Sequence, residues 1–145
     1  PVTGERELSV DNGRPVFVEG NPDELHRMVV NLLDNAAHHT PPGSRIELSL
    51  RAAGDLAVLE VADDGPGIPP ELRDHVFDRF VRGNGPADVA AGPGTGLGLA
   101  IVRAVATSHG GDVEAAASPS GGALLRVRLP LAKSEPAITR PLEAL

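Results

Sequence analysis

Residues 92–99 read Gly-Pro-Gly-Thr-Gly-Leu-Gly-Leu and lead directly into the apolar stretch Ala-Ile-Val-Arg-Ala-Val-Ala-Thr-Ser at 100–108. Glycine costs a helix interior about 1 kcal/mol relative to alanine, so alternating glycines indicate backbone that must pass close to another group. The stretch that follows has the apolar spacing of a helix. Free N–H groups before a helix, with the positive end of its dipole behind them, favour an anion, most often phosphate. These residues therefore predict a phosphate site at the start of a helix.

The composition limits the classes of protein to which this chain can belong. Its 145 residues suit one domain, and 41% hydrophobic residues are ordinary for a globular protein. A net charge of −7 argues against a nucleic-acid surface, and the absence of cysteine excludes disulfides and thiolate metal sites. Lys133 is the only lysine, so a P-loop is excluded because its lysine is missing. No apolar run approaches the ~20 residues that a membrane-spanning helix needs.

Apolar spacing predicts three helices. Asn21 fits an N-cap, Pro22 the first helical position and Glu24 the second half of a capping box, ahead of an apolar stripe at 25–36. Shorter helices are predicted at 71–80 and at 97–108, the second of them ending at the glycines 110–111.

Alternating or continuous apolar runs predict the strands. Two runs at 8–10 and 15–18 flank Asn12 and Gly13, a sequence typical of a hairpin turn. Four further runs are predicted to pair as two more strand pairs: 46–50 with 56–61, and 113–117 with 123–129.

The order of these elements predicts an α/β (α+β) two-layer sandwich. No regular strand–helix–strand alternation recurs, so a mixed, mostly antiparallel sheet with helices on one face fits better than a doubly wound parallel sheet. Residues 1–130 are predicted to form the domain and 131–145 a flexible C-terminal tail. The segment 81–98 has no periodicity, and a loop of this length is either functional or disordered.

The first helix carries a polar strip beside its apolar stripe. Asn31, Asn35 and His38 fall on this strip at helical spacing. Two amides at i and i+4 can simply bond to a neighbouring loop. They can also serve a hard cation, because a carboxamide oxygen suits Mg²⁺, which takes few protein ligands and completes its shell with phosphate and water. His39 lies one turn after Asn35, near the same strip.

Asp63 is in phase with Leu59 and Val61 and should face the same way as they do, so its carboxylate is buried if that is the core face. A buried carboxylate needs donors, and an Asp at a strand end commonly caps a turn. The alternative is an acceptor for an exocyclic amine such as that of adenine, with Gly65 and Gly67 allowing the backbone to lie close to the ring.

The glycine-rich segment also has two interpretations. It can be a flexible linker, although Leu97 and Leu99 interrupt the glycines with residues of a buried type. A dinucleotide-binding fingerprint fits poorly because no strand directly precedes the glycines. The helix amides, Asp63 and this loop together outline a site for a purine nucleoside triphosphate with Mg²⁺.

These residues resemble the catalytic, ATP-binding domain of bacterial sensor histidine kinases, in the GHKL ATPase group with the Bergerat fold. The resemblance covers about residues 8–129. Its motifs follow in order: Asn-Leu-Leu-Asp-Asn-Ala at 31–36 resembles the N box, Asp-Asp-Gly-Pro-Gly-Ile at 63–68 the G1 box, Phe-Asp-Arg-Phe at 77–80 the F box, Gly-Thr-Gly-Leu-Gly-Leu at 94–99 the G2 box, and 121–122 the closing glycine pair.

The resemblance implies a role for each motif. Asn35 would bind Mg²⁺, with Asn31 beside it contacting phosphate or the water shell, and Asp63 would accept from the adenine amino group. Arg79 and Arg82 are candidates for γ-phosphate contact as charge-assisted donors. Residues 81–96 would form the ATP lid. The other nucleotide-binding positions implied are Gly65, Gly67, Ile68, Phe80, Gly94, Thr95, Gly96, Leu97, Gly98 and Leu99, with the backbone of Gly94, Gly96 and Gly98 facing the phosphates.

The chain departs from the family at one pair of residues. His38 and His39 stand where the family often has Lys-Tyr, whose Lys would touch phosphate and whose Tyr would lie along the adenine. A histidine is only partly charged near pH 7, so phosphate affinity is expected to be lower and pH-dependent.

The function that the resemblance implies is ATP-dependent phosphorylation of a protein histidine, with ATP and Mg²⁺ as cofactors. None of the five histidines is followed by Glu or Asp, so the acceptor is expected on a separate dimerisation domain of the same kinase, with a response regulator served indirectly. The chain is expected to be a monomeric fragment without a membrane segment, the cytoplasmic part of a membrane-anchored sensor kinase. Two alternatives remain: an anti-sigma-factor-type serine kinase of the same fold, and a regulatory module that binds nucleotide without catalysis.

Overall fold

The computed structural model describes residues 15–78 and 98–133 in full and residues 7–12 by their backbone. The elements in chain order are β1 (Glu7–Asn12), α1 (Pro22–His38), β2 (Arg45–Ala53), β3 (Leu56–Asp63), a 3₁₀ turn (Pro70–Leu72), α2 (Gly98–Ser108), β4 (Asp112–Ala117) and β5 (Ala123–Pro130).

The five strands form one mixed sheet in the order β1-β2-β3-β5-β4. β1 and β2 are parallel, and the other three pairs are antiparallel. Apolar side chains of α1 and α2 pack with those of one sheet face. The predicted two-layer sandwich, with a mostly antiparallel sheet and helices on one face, is therefore confirmed.

An aliphatic cluster between the two layers holds the fold together. Met28 and Leu32 of α1, Val102 of α2 and Val127 of β5 are 0% exposed. Burying an aliphatic side chain of this kind stabilises a fold by about 1.5–3 kcal/mol. Phe77, at 4% exposed, is the one aromatic residue of the cluster within the described ranges.

The start of α1 confirms one prediction and corrects another. Asn21 is the N-cap, and its Oδ1 accepts from the backbone N–H groups of Asp23 and Glu24 at 2.9 and 3.1 Å. The backbone N–H of Asn21 donates to Nε2 of His109, 3.1 Å away, and not to Glu24 as a capping box requires. A residue beyond the end of α2 thus completes the cap of α1.

The predicted hairpin at 8–18 is wrong. β1 pairs in parallel with β2, and residues 15–19 have no regular secondary structure. Parallel neighbours need a long crossover, and α1 supplies it in a strand–helix–strand unit. Val16 is buried in the aliphatic cluster, and the carbonyl of Phe17 accepts from Ala132 N–H at 2.8 Å. These long-range contacts override the local turn signal at 12–13.

The helix predicted at 71–80 is wrong in type over residues 71–78, and residues 79 and 80 lie outside the described part of the chain. A 3₁₀ turn at Pro70–Leu72 is followed by further turns up to Phe77. The backbone bonds run from i to i−3, as in His75 N–H to Leu72 O and Asp78 N–H to His75 O, both 2.9 Å. This tighter winding still buries Val76 and Phe77, which produced the apolar spacing seen in the sequence.

The end of α2 is as predicted. Gly110 has φ +82°, its N–H donates to Thr107 O, and the N–H of Gly111 donates to Ala106 O at 2.8 Å. This is a Schellman arrangement, which needs a residue that tolerates positive φ.

The chain stays attached to the domain beyond the predicted boundary at residue 130. The N–H of Leu131 donates to Asp55 O, and Ala132 bonds Phe17 as described above. Residues 134–145 of the predicted tail, and the predicted lid at 81–96, lie outside the described residues. Among the described helices, neither is both long and apolar enough to cross a bilayer.

Candidate functional site

Asp63 is the last residue of β3 and is 7% exposed, beside the buried Leu59 and Val61. The prediction that it faces the same way as Leu59 and Val61 is confirmed, and that side is the core face. Its Oδ1 accepts from the backbone N–H of Gly65 at 3.0 Å and of Ala123 at 3.1 Å. Within the described part of the chain, no donor contacts Oδ2. The carboxylate is therefore fixed through one oxygen and has acceptor capacity left on the other.

The backbone after Asp63 approaches two other segments so closely that side chains are excluded. A Cβ on Gly65 would lie 2.9 Å from Cγ2 of Thr40. Gly67 has φ +82°, and a Cβ there would lie 3.1 Å from the carbonyl oxygen of Gly121. Residues 65–67 thus lie between the end of α1 and the β4–β5 turn. These close approaches are to other parts of the protein, so the expectation that Gly65 and Gly67 let the backbone lie along a ring stays a prediction. Ile68 after them packs against the aliphatic cluster.

Asn31 and Asn35 are half-buried on α1, next to the fully buried Leu32 and Ala36. Four residues separate them, a rise of about 6 Å along the helix. Nδ2 of Asn31 is buried and makes no hydrogen bond to any described residue. Burying an amide donor without a partner costs about 1–3 kcal/mol, so a bound water or ligand oxygen at this atom would stabilise the fold.

The residues at the end of α1 lie against the loop that follows Asp63. His38 and His39 are exposed, and their rings stand edge to face with centroids 6.0 Å apart. Thr40 Oγ1 donates to Ala36 O at 2.8 Å, which holds the Thr40 methyl group against Gly65. The C-terminal end of α1 and the Asp63–Gly67 loop are therefore contiguous.

The start of α2 is the third part of the site for which the structure gives a position. Gly98 is its first residue, and a Cβ built there has no described heavy atom within 4 Å. Leu99 packs against the aliphatic cluster, which fixes the first turn. The first N–H groups of a helix have no intrahelical acceptor, so this end suits an anion. Seven predicted site residues lie outside the described residues: Arg79, Phe80, Arg82, Gly94, Thr95, Gly96 and Leu97.

An ion pair connects the turn before residue 79 with α2. Asp78 Oδ1 accepts from Nη1 of Arg103 at 2.9 Å, and Asp78 Oδ2 lies 3.2 Å from Nδ1 of His75. The hydrogen bond from Arg103, followed by that from His75, lowers the pKa of Asp78. The two described ends of the chain that flank residues 79–97 are thus joined.

Comparison with known proteins identifies the family of this site. The family described as histidine kinase-, DNA gyrase B-, and HSP90-like ATPase matches residues 20–133. The chain belongs to this ATPase family. The matched range contains Asn31, Asn35, Asp63 and both glycine segments, and membership implies ATP as the ligand. The family resemblance drawn from the sequence is thereby confirmed.

The proteins to which this ATPase domain is similar include sensor histidine kinases. The probable sensor histidine kinase TcrY of Mycobacterium tuberculosis is 44% identical over 127 residues, which are 88% of this chain and 26% of TcrY. The chain therefore spans about a quarter of that relative. A solved structure of the mycobacterial sensor histidine kinase MprB is 38% identical with a TM-score of 0.77, covering 96% of this chain and 87% of that one. The ATP-binding domain of PrrB from Mycobacterium tuberculosis is 30% identical with a TM-score of 0.71, covering 89% and 82%.

The residues of this ATPase domain suit a Mg²⁺ ion that takes most of its ligands from phosphate and water. Among residues 15–78 and 98–133, no three His, Asp or Glu side chains gather to hold a metal by themselves. The buried Nδ2 of Asn31 is a donor, which suits a phosphate oxygen or water. The half-buried amide of Asn35 offers a carbonyl oxygen, a ligand type that Mg²⁺ accepts alongside phosphate oxygens.

Sequence reasoning missed two hydroxyl residues that touch Asp63. Ser118 Oγ donates to the carbonyl oxygen of Asp63 at 2.8 Å, and Ser120 Oγ donates to the same oxygen at 3.1 Å. The sequence reads there as an ordinary turn, because contacts made 55 and 57 residues away depend on strand register. The one available signal was the position of both serines beside the glycine pair at 121–122.

Proposed function

We propose that this chain binds Mg-ATP and donates the γ-phosphate to a histidine on a separate dimerisation domain, in two-component signal transduction. One observation carries the proposal: a buried carboxylate, Asp63, is held by two backbone N–H groups through Oδ1 while Oδ2 keeps its acceptor capacity. It lies beside glycines that bring the backbone close and next to the end of the helix that bears the Asn pair.

Asp63 recognises the purine in this proposal. A carboxylate oxygen accepts a hydrogen bond from the 6-amino group of adenine but meets the carbonyl of guanine as another acceptor. Because Gly65 and Ala123 occupy Oδ1, the amine is assigned to Oδ2. Gly65 and Gly67 hold the loop after Asp63 close to Thr40 and to the β4–β5 turn, and the backbone of this loop is proposed to lie along the ring.

Asn31, Asn35 and the first turn of α2 serve the phosphates. Asn31 supplies its unpartnered Nδ2 to a phosphate oxygen or a bound water, and Asn35 holds Mg²⁺ through its amide oxygen. When bound, Mg²⁺ neutralises phosphate charge and orients the transferring group. Gly98 and Leu99 offer backbone N–H groups at the helix start. Arg79, Arg82, Phe80 and the segment 94–97 remain proposed contacts from the resemblance.

In phosphoryl transfer, the proposed role of this chain is to position ATP and not to form a covalent bond with the phosphate. Phosphoryl transfer depends on alignment and charge stabilisation, and the acceptor histidine supplies the nucleophile. None of the five histidines here precedes an acidic residue, which is the pattern expected of that acceptor. The partner is therefore proposed to be the histidine-bearing dimerisation domain of the same kinase, and a response regulator receives the phosphate afterwards.

A transfer assay with separated parts tests this function. The chain is mixed with Mg²⁺, ATP labelled at the γ-phosphate, and a separately produced dimerisation domain carrying the acceptor histidine. We expect acid-labile, base-stable label on that domain, and Asn35→Ala should reduce its rate at least about 100-fold, since removing one group that stabilises transition-state charge costs this much in other enzymes. Asp34→Ala, an exposed change on the same helix, is the control. Tight ATP binding without any transferred label would contradict the kinase and favour a regulatory nucleotide-binding module.

A further inference from the structure

The β4–β5 turn makes an unusual connection to the end of β3. β3 and β5 pair in regular register up to Ala62 and Leu124. One step further, the N–H of Ala123 donates to the side chain of Asp63, at Oδ1, and not to its carbonyl. The main-chain carbonyl of Asp63 is thereby left for other donors, and the two serine hydroxyls of the turn bond to it.

Ser118 is the centre of this arrangement. It is 6% exposed, donates to Asp63 O, accepts from the N–H of Gly122 at 3.1 Å and lies 2.8 Å from the hydroxyl of Ser120. A hydroxyl can donate only one hydrogen bond, and Ser118 donates its bond to the carbonyl oxygen of Asp63. Ser120 donates either to the same carbonyl or to the hydroxyl of Ser118. One buried hydroxyl therefore ties both the strand end and the turn to each other.

The turn also lies so close to Asp63 that no side chain fits between them at Gly122. A Cβ on Gly122 would lie 2.1 Å from the carbonyl oxygen of Asp63 and 2.5 Å from its Oδ1. The backbone and the side chain of Asp63 are thus both held by the segment 118–123. Where the free oxygen of the carboxylate points is decided by contacts to both groups.

We propose that Ser118, assisted by Ser120, is a positioning residue that sets the direction of the Asp63 carboxylate and so the discrimination for a purine carrying a 6-amino group. This inference rests on the proposed function, in which Asp63 receives that amine. Ser118 touches no nucleotide in this assignment and acts through Asp63 alone.

The test compares ATP with purine riboside triphosphate, an analogue that lacks the 6-amino group, by calorimetric titration into the 145-residue chain. The readout is the ratio of the two dissociation constants, because general destabilisation of the fold weakens both ligands alike. We expect Ser118→Ala to reduce the preference for ATP by about threefold to tenfold, the effect of a weakened hydrogen bond. Ser108→Ala is the matched control, since that serine also donates to a backbone carbonyl, Val105 O, at 2.9 Å.

Asp63→Asn separates this inference from the proposed function. If Asp63→Asn leaves the ratio unchanged, Asp63 does not receive the amine and the proposed function fails at its purine end. If Asp63→Asn abolishes the preference while Ser118→Ala preserves it, the proposed function stands and the role of Ser118 is overturned. In the Asp63→Asn background, Ser118→Ala is expected to cause no further change in the ratio.

Circular dichroism and thermal melting establish that each variant is folded before titration. Should Ser118→Ala fail to fold, Ser120→Ala carries the test, because its part-buried hydroxyl donates to the same carbonyl. A loss of preference of about threefold is then expected, in line with one weakened hydrogen bond. An unchanged ratio in a folded Ser120→Ala chain would overturn the proposal.

Discussion

At the residue scale, Gly122 determines how closely the β4–β5 turn approaches Asp63. A Cβ at this position would lie 2.1 Å from Asp63 O, and the atom in the way is backbone, which cannot rotate aside. The glycine is therefore required by close approach and not by its φ angle, whereas Gly54 has φ +63° and open space around it.

Gly122→Ala is expected to displace the end of β3. We expect a loss of about 1–3 kcal/mol in the free energy of unfolding from overpacking, together with weaker ATP binding, measured by urea unfolding and calorimetry. Gly54→Ala is the control: it should cost about 1–2 kcal/mol through its positive φ but leave ATP affinity unchanged. Equal effects of both variants on affinity would show that the turn does not position Asp63.

His38 gives a second prediction at this scale. It is exposed at the end of α1, where the resembling kinases often have a lysine. A histidine ring offers a phosphate oxygen an N–H donor, so His38→Ala should weaken ATP binding by about threefold to fivefold, the effect of one lost hydrogen bond. Calorimetric titration of both chains checks this, and equal affinities would exclude a contact between His38 and the phosphates.

The same scale shows what the sequence could reveal about the site. Asp63 was predictable because the period of a strand fixes its face from Leu59 and Val61 alone. Asn31 and Asn35 were predictable from helical spacing. Ser118 and Ser120 were not, because their partner is reached only through the register of β3 against β5, which no local pattern encodes.

At the element scale, the sheet face opposite the helices is crossed by a chain of ion pairs. Glu60 of β3 bonds Arg51 of β2 at 2.9 Å and also bonds Arg126 of β5. Arg126 continues to Glu114 of β4 at 2.6 Å. The side chain of Glu60 is 14% exposed, so this pair is better shielded from water than an ordinary surface salt bridge.

The ion pairs predict an acid-sensitive contribution to stability. Burial would raise the pKa of Glu60, but hydrogen bonds from Arg51 and Arg126 outweigh it and hold that pKa below its usual value of 4.5. A lowered carboxyl pKa stabilises the folded state above the unfolded value, and the contribution is lost as the pH falls from about 4.5. Glu60→Gln should therefore cost on the order of 0.5–1 kcal/mol at pH 7 and much less at pH 3.

Urea unfolding at the two pH values measures this difference. Glu47→Gln is the matched control, since Glu47 is exposed on β2 and forms no ion pair within the described residues. The same loss for Glu60→Gln at both pH values would show that Glu60 acts through packing and not through charge.

Element boundaries illustrate where local patterns are sufficient. α1 and α2 were predicted because their apolar stripes, the Asn21 side-chain cap of α1 and the glycines after α2 are all local signals. The sequence predicted the wrong partner for β1. Its parallel pairing with β2 requires α1 as a crossover, and the local turn sequence at 12–13 contains no information about this long-range arrangement. The segment 71–78 has helical apolar spacing, but its backbone bonds run from i to i−3, a difference that apolar spacing does not distinguish over so few residues.

At the scale of the whole molecule, the aliphatic cluster lies between the helices and one face of the sheet, and the residues of the proposed site come from the ends of several elements. The end of α1 and the β4–β5 turn both contact the end of β3 and the loop that follows it. The β4–β5 turn reaches Asp63 because β3 pairs with β5. This arrangement explains why the family could be named from motifs in order, while the contacts among them required the fold.

The central claim is that Asp63 anchors the purine of Mg-ATP, and calorimetric titration of ATP with and without Mg²⁺ tests it most directly. The comparison is between the parent chain, Asp63→Ala, and Asp55→Ala as an exposed control in the β2–β3 turn. We predict that Asp63→Ala loses about 1–3 kcal/mol of ATP binding free energy, while Asp55→Ala binds like the parent and Mg²⁺ strengthens binding in all three. Unchanged affinity in Asp63→Ala would contradict the account.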